Sequence, residues 1–177
     1  LRLSRGLGDV YKRQLNGGRP EQLTLRTFLT NFIAFREEVV ARRTAFELRK
    51  ARERSHILCG LAVTVSNVDE IVASIRASSD AAEAREKLMQ RSWPANEIRE
   101  YIALIDDPTH KINDDGSYNL SEAQVRAILE LRLQRLTQIG VKEVTDELEA
   151  LSFKIKDYLE ILASRSKIMS IIARELN

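Results

Sequence analysis

The stretch VKEVTDELEALSFKIKDYLEIL, residues 141–162, decides the fold class. Val141, Val144, Leu148, Leu151, Ile155, Tyr158 and Leu162 alternate in steps of three and four, the seam of a coiled-coil helix. Met169, Ile172 and Leu176 keep the register, Arg165 interrupts it, and Ser164 marks a candidate local break or recap. An unbroken helix over this span would extend about 54 Å at 1.5 Å per residue. Toward the N-terminus a second long helical pattern begins near Thr24 and meets no breaker until Asn67. Its aromatic spacing, Phe28, Phe32, Phe35, Val39 and Phe46, reads as the facing seam, with Arg42 and Arg49 in the same register. Two long seamed helices bracketing shorter ones predict an all-α fold: a long antiparallel two-helix coiled coil with a small helical head between the long helices.

The intervening residues read as short helices. Asn67 is placed to cap a helix to about Ala77, with Asp69 and Glu70 near its positive end. Further helices are expected at 80–91 and, after Trp93-Pro94, at 95–104. Residues 106–119 form a polar loop; Asn113, Asp114 and Asp115 lack the ligand alternation and closing Glu of a calcium loop, so a solvated loop is the expectation. Ser121-Glu122-Ala123-Gln124 is a capping box flanked by Leu120 and Val125, and opens a helix to about Thr137. The organisation that these signals give is 15–23 as an entry segment, 24–66 as the first long helix, 67–139 as the head and 140–177 as the returning helix. Asn16-Gly17-Gly18 is the strongest turn signal and marks the entry.

Composition supports helix and narrows the chemistry. The 177 residues are 44% hydrophobic and 31% charged, with 7 Gly and 3 Pro, too few turn formers for a β-sandwich or barrel. No apolar run approaches the roughly 18 residues of a membrane span, so no membrane partner is expected. One Cys excludes a disulfide framework, and with two His it cannot build a closed zinc site. The net charge of +2 misleads. Asp9-Val10-Tyr11-Lys12-Arg13-Gln14 resembles a translated transposon end used in sequencing libraries, so residues 1–14 read as an adapter-derived scar expected to pack against nothing. Setting them aside leaves 24 basic against 25 acidic residues, from 28 and 26, and no composition-level case for phosphate binding.

Catalytic motifs are absent. There is no Gly-rich phosphate loop with Lys-Ser/Thr and no spacing that supports a Ser-His-Asp arrangement. His56, among charged helix residues, and His110, in the polar loop, read as structural or solvated. Cys59, between Leu58 and Leu61, reads as a buried inert thiol. Arg42, Arg43, Arg49, Lys50, Arg52 and Arg54 are interleaved with Glu37, Glu38, Glu47 and Glu53, which is a salt-bridged solvated face. Tyr118 reads as a helix-flanking aromatic.

Three strings carry a family resemblance. FREEVVARRTAFELRKAR at 35–52, followed by His56-Ile57-Leu58, and LSEAQVRAILELRLQRLT at 120–137 closely resemble the A subunit of bacterial DNA gyrase, a type IIA topoisomerase family. Asn16-Gly17-Gly18-Arg19-Pro20 is similar to the turn leaving that family's tower domain, and loop 106–119 looks more like gyrase than topoisomerase IV. The resemblance spans Leu15 to Asn177. It implies a bacterial, cytoplasmic enzyme that passes one duplex through a double-strand break in another, with ATP and Mg2+ on the B subunit. The implied nucleophilic Tyr lies in an upstream winged-helix domain, so no catalytic residue is carried over, and the chain alone should neither cleave DNA nor hydrolyse ATP. Implied partners are a second copy through the head, the gyrase B subunit and DNA. The chain would be the coiled-coil arm and exit-gate head. Cys59 departs from the Glu usual at that position. A segment of the topoisomerase IV A subunit and a non-enzymatic coiled-coil scaffold remain alternatives.

A gate closes one protomer on its equal, and one self-complementary patch achieves this most simply. On the 121–137 helix, Val125, Ile128, Leu129, Leu133 and Leu136 form a stripe that seats it on its own head. Ala123, Ala127 and Leu131 fall on another side and are the candidate dimer contact. The alternative is that the chain's own short helices cover that side.

Overall fold

A computed structural model describes residues 13–16, 19–22, 24–95, 98–105, 112–131 and 140–177. The chain divides into two compact units, 1–45 with 160–177 and 46–159. The longest element, α1 (Leu25–Ser66), crosses from one to the other and is 42 residues long, about 63 Å. Thr24 Oγ1 accepts the Thr27 N–H at 3.2 Å and caps its start. No single described helix is long and apolar enough to cross a membrane.

In the first unit, β1 (Arg13–Asn16) pairs antiparallel with β2 (Arg19–Gln22), Arg13 opposite Gln22 and Gln14 opposite Glu21. The pairing corrects the boundary drawn at Gln14: Arg13 and Gln14 have a place in a strand. Residues 1–12 lie outside the described part. The returning helix is two helices, α6 (Val141–Ala163), most of which belongs to the second unit, and α7 (Arg165–Leu176). Ser164 is extended, at φ −127 and ψ 107, and its hydroxyl accepts the Lys167 N–H. The recapping frees α7 from the coiled-coil course. Arg165 at its start bonds Glu37, with Nη2 to Oε1 at 2.8 Å, while Glu175 near its end pairs with both Arg36 and Arg43. One short stretch of α1 thus meets both ends of α7, which lies across α1 rather than antiparallel along it. Val40 and Ile172 are buried in this unit.

In the second unit α1 continues to Ser66, and the chain then runs through α2 (Val68–Arg76), α3 (Ala81–Gln90), β3 (Ser92–Pro94), α4 (Arg99–Ile105), β4 (Ser117–Asn119) and α5 (Glu122–Glu130) to α6. One apolar core joins them: Leu58 and Ala62 of α1, Ile71 of α2, Leu88 of α3, Ile102 of α4, Val125 and Ile128 of α5, and Val144 and Leu148 of α6. Trp93 and Tyr118 face each other across the β3–β4 ladder, both essentially fully buried. This ladder differs from the expected helix entry at Pro94. Trp93 is drawn into the core, its indole N–H donating to the Leu88 carbonyl at 3.1 Å, so Ser92–Pro94 is a strand and α4 begins at Arg99.

Another expectation fails for a local reason. Asn67 sits at the N-cap of α2 but its side chain does not cap. Its amide donates backward to the Val63 carbonyl at 2.8 Å and across to Pro94 O at 3.3 Å, satisfying an acceptor at the end of α1 instead. The segment 112–117 is a tight turn: Gly116 has φ 80, its N–H reaches Asn113 O at 2.9 Å, and Asn113 N–H reaches Ser117 O at 2.8 Å. Asp115 accepts the Ser117 N–H, and the Ser117 hydroxyl first, with that N–H second, holds its carboxyl below the usual range. That accounts for the Asn-Asp-Asp-Gly run as turn chemistry.

Candidate dimerisation face and the polar node beneath it

The capping box at the start of α5 is formed as the sequence predicts: Ser121 Oγ accepts the Gln124 N–H and Gln124 Oε1 accepts the Ser121 N–H at 2.9 Å. Leu120 and Val125 are both buried beside it. The box does more than end a helix. Gln124 is fully buried, and its Nε2 donates to the His56 carbonyl of α1 at 2.7 Å and to the Tyr118 hydroxyl at 2.9 Å. His56 Nε2 and Ser121 Oγ lie 2.7 Å apart. Gly60 makes room: a Cβ there would stand 2.7 Å from both Cβ and Cγ of Gln124. The polar node seats α5 on α1 in one register, every donor and acceptor of the Gln124 amide used.

His56 and Tyr118 are therefore structural, and the bonding of Tyr118 to Gln124 goes beyond a flanking role. The only sequence signal for the node is Gln124 at the third box position; nothing marks Gly60 as its partner. Cys59 is fully buried, and burial pushes its thiol up to about 12, far from a nucleophile. His110 lies outside the described residues. Among the described residues no three His, Cys, Asp or Glu side chains converge as metal ligands would.

The candidate contact residues are distributed unevenly. Ala123 is exposed and Ala127 half-buried on α5. Leu131 is not on the helix: α5 ends at Glu130, and Leu131 is its extended C-cap, at φ −73 and ψ 136, packed against the head's own core. This corrects the helix drawn to Thr137 and takes Leu131 off the face shared by the two alanines; residues 132–139, with Leu133 and Leu136, lie outside the described part. Beside the face, α3 and α5 enclose a shallow groove of about 330 Å³, lined by Ala81, Ala82, Arg85, Arg126, Leu129 and Glu130. Arg85 and Arg126 both lean on Glu122 at 3.3 and 3.4 Å.

The coiled-coil residues also divide. On α6, Val144, Leu148 and Ile155 are buried and Leu151, Tyr158 and Leu162 half-buried; the Val141 side chain lies outside the described part. On α1 the buried line is Val40, Thr44, Leu48, Ala51, Ser55, Leu58 and Ala62, not the aromatic one. Phe32, Phe35 and Phe46 are 39%, 60% and 42% exposed, and Phe28 and Val39 are half-buried. The inner line sets the small Thr44, Ala51, Ser55 and Ala62, which permit close helix approach, between Val40, Leu48 and Leu58, and Thr44 satisfies its hydroxyl on the Val40 carbonyl at 2.9 Å.

The sequence model for the A subunit of DNA gyrase/topoisomerase IV matches residues 10–177. The chain belongs to the DNA gyrase/topoisomerase IV A-subunit family. Proteins named as the A subunit of DNA gyrase are similar to it from Granulibacter bethesdensis, 43% identical over 176 residues, covering 99% of this chain and 18% of the relative, and from Rickettsia bellii, 42% over 167 residues, covering 94% and 18%. The protein of that name from Haemophilus influenzae is 46% identical over 167 residues, covering 92% and 19%. The chain thus spans about a fifth of the length of the curated relatives it matches. The family match begins at residue 10, inside the stretch read as adapter-derived. The head and the long helix are what this family member contributes within that fifth.

Proposed function

We propose that the chain is the exit-gate arm and head of a gyrase-type A subunit, acting in an ATP-dependent type II topoisomerase that changes DNA supercoiling by double-strand passage. The observation that carries this reading is the family match over 10–177 together with relatives that bear the gyrase name; the A subunit of topoisomerase IV is the neighbouring alternative. The segment's work is mechanical. In this reading strand cleavage falls to the rest of the A subunit; burial of Tyr118, bonded to Gln124, and the raised pKa of Tyr101, first by burial and then by nearby carboxylates, support it for those two tyrosines. ATP and Mg2+ belong, in this reading, to the B subunit. What these residues do is hold a head rigid on a long helix and present Ala123 and Ala127 to a second copy, a contact modest enough to reopen.

Sedimentation equilibrium of the full chain tests the gate. The native chain should dimerise at tens of micromolar, an order of magnitude suited to a reversible contact, and Ala123→Glu should give a folded monomer. A native chain that stays monomeric at that concentration removes the gate reading. In the complete enzyme, a Haemophilus influenzae A subunit carrying this chain in place of its own matching segment should retain ATP-dependent supercoiling with its B subunit. Loss of supercoiling in a folded, dimeric chimera would overturn the assignment.

A further inference from the structure

Two ion pairs fix the register in which α1 and the returning helix face each other. Arg54 lies opposite Glu147 in the second unit, Nε to Oε1 at 2.9 Å, and Glu37 lies opposite Arg165 in the first. Seventeen residues back along α1 thus match eighteen forward along its partner, an antiparallel register kept step for step. Carried beyond Arg165, it puts Met169 level with Phe32, Ile172 with Leu29 and Leu176 with Leu25. Instead α7 leaves that course. Ser164 alone departs from the helical backbone, and Glu175 pairs with Arg36 and Arg43 rather than reaching the level of Arg26. The face of α1 left behind is apolar: Leu25, Leu29 and Phe32 are 75%, 49% and 39% exposed. Leu29 and Leu25 continue the buried line of Val40, Thr44 and Leu48 through Arg36 and Ile33, at steps of three and four. Leu176 is exposed as well.

We infer that the chain has a second arrangement, in which α6 and α7 are one helix and Met169, Ile172 and Leu176 cover Phe32, Leu29 and Leu25. The inference does not depend on the gate reading. Only Ser164 has to change, from φ −127 and ψ 107 to about −63 and −42. Straightening restores the helix hydrogen bonds interrupted at the recap and takes the exposed apolar stripe out of water. Against it stand the Ser164 cap, the two pairs of Glu175 and the burial of Ile172. Exposed ion pairs contribute little each, so these contacts hold the bent arrangement without locking it. The Glu37–Arg165 pair lies on the shared register and serves both arrangements, which makes it the pivot. A second copy of the chain is the other possible cover for the stripe, but α7 matches it residue by residue.

The test is pulsed electron-spin resonance on the full chain, with nitroxides on Ala45→Cys and Arg174→Cys; Cys59 is buried and takes no label. With Glu175 on Arg43, the bent arrangement gives a short distance. In the straight one Arg174 stands level with Thr27, eighteen residues from Ala45, or about 27 Å along the helix. Ser164→Ala removes the cap and raises helix propensity, and should increase the long-distance population over the short about tenfold. Adding Glu175→Gln should raise it further. Adding Leu29→Asn/Phe32→Asn to Ser164→Ala should bring the short distance back, since both side chains are exposed in the bent arrangement. A short distance alone, in the native chain and in Ser164→Ala/Glu175→Gln, overturns the inference. So does a long distance that survives Leu29→Asn/Phe32→Asn, or one that vanishes on dilution with unlabelled chain, which places a second copy on the stripe. A longer distance accompanied by loss of helix in circular dichroism is fraying of α7 and overturns it too.

Discussion

Gly60→Ala should destabilise the chain although it places the best helix former inside a long helix. The intrinsic gain is about 1 kcal/mol, and at an open position it would be realised. Here the new Cβ would lie 2.7 Å from Gln124 Cβ and Cγ and 2.9 Å from Cδ. None of those atoms is the free end of a flexible side chain. Gln124 is fixed by the Ser121 N–H, the His56 carbonyl and the Tyr118 hydroxyl, so relief requires α5 to move off α1. Overpacking of this kind costs about 1–3 kcal/mol, and stretching two of the Gln124 bonds adds about 1 kcal/mol each. Subtracting the propensity gain leaves a net loss of about 2–4 kcal/mol, or a Tm lower by about 5–12 °C for a chain of this length. Urea and thermal unfolding followed by circular dichroism would measure it. In a double-mutant cycle with Gln124→Gly, which removes the opposing Cβ, the two substitutions should couple favourably. A Gly60→Ala protein as stable as the native chain, or more so, would refute the account of the node.

Three further outcomes follow from the same structure. Glu83 is held down to about 2 by Lys87 and then by the Ser79 hydroxyl and N–H at the start of α3. A carboxylate with a depressed folded pKa stabilises fully above its ordinary value and loses that contribution as pH falls through the folded value, so α3 should loosen between about pH 4.5 and 2, and Glu83→Gln should remove that part of the acid transition in amide-exchange measurements. Cys59, buried and pushed up to about 12, should react with a thiol reagent at pH 8 only at the rate of opening; a rate matching free cysteine would show the core wrongly assigned. Leu131→Glu, in contact with the head core, should cost about 1–3 kcal/mol for burying a carboxylate side chain against apolar surface, whereas Ala123→Glu should leave unfolding midpoints within about 0.5 kcal/mol; equal stability of the two variants would return Leu131 to the outer face.

What is legible in the sequence is whatever depends on neighbours along the chain. The capping box at Ser121 and the recap at Ser164 can be read directly, because each needs a hydroxyl a fixed few residues from an N–H and little else. The long helix is legible for the same reason: a run without breakers from Thr24 to Ser66 has few alternatives. Which face of that helix packs is not. Hydrophobic spacing points to the phenylalanines, but helix approach is limited by bulk, and a line containing Thr44, Ala51 and Ser55 wins once the Thr44 hydroxyl bonds within the helix. The end of α5 misleads likewise, because Leu131 continues the apolar period while leaving the helical backbone.

The same logic explains why the node is hidden in the sequence. Gln124 is visible as a capping residue, and that role uses only its carbonyl oxygen and backbone N–H. The Nε2 group is left needing acceptors, and its partners, His56 O and Tyr118 Oη, come from 68 and 6 residues away in sequence. A buried amide that met only half of its bonding would destabilise the head by more than an apolar residue in its place. Gln124 is therefore tolerable at that position only because α1 offers a carbonyl at His56, where the following turn carries a glycine. Within one long helix, Gly60 and the carbonyl four residues before it are a single adaptation to the third residue of another helix. If the head closes a gate, as proposed above, this lock serves it by fixing α5, and with it Ala123 and Ala127, in one orientation on the helix that carries them.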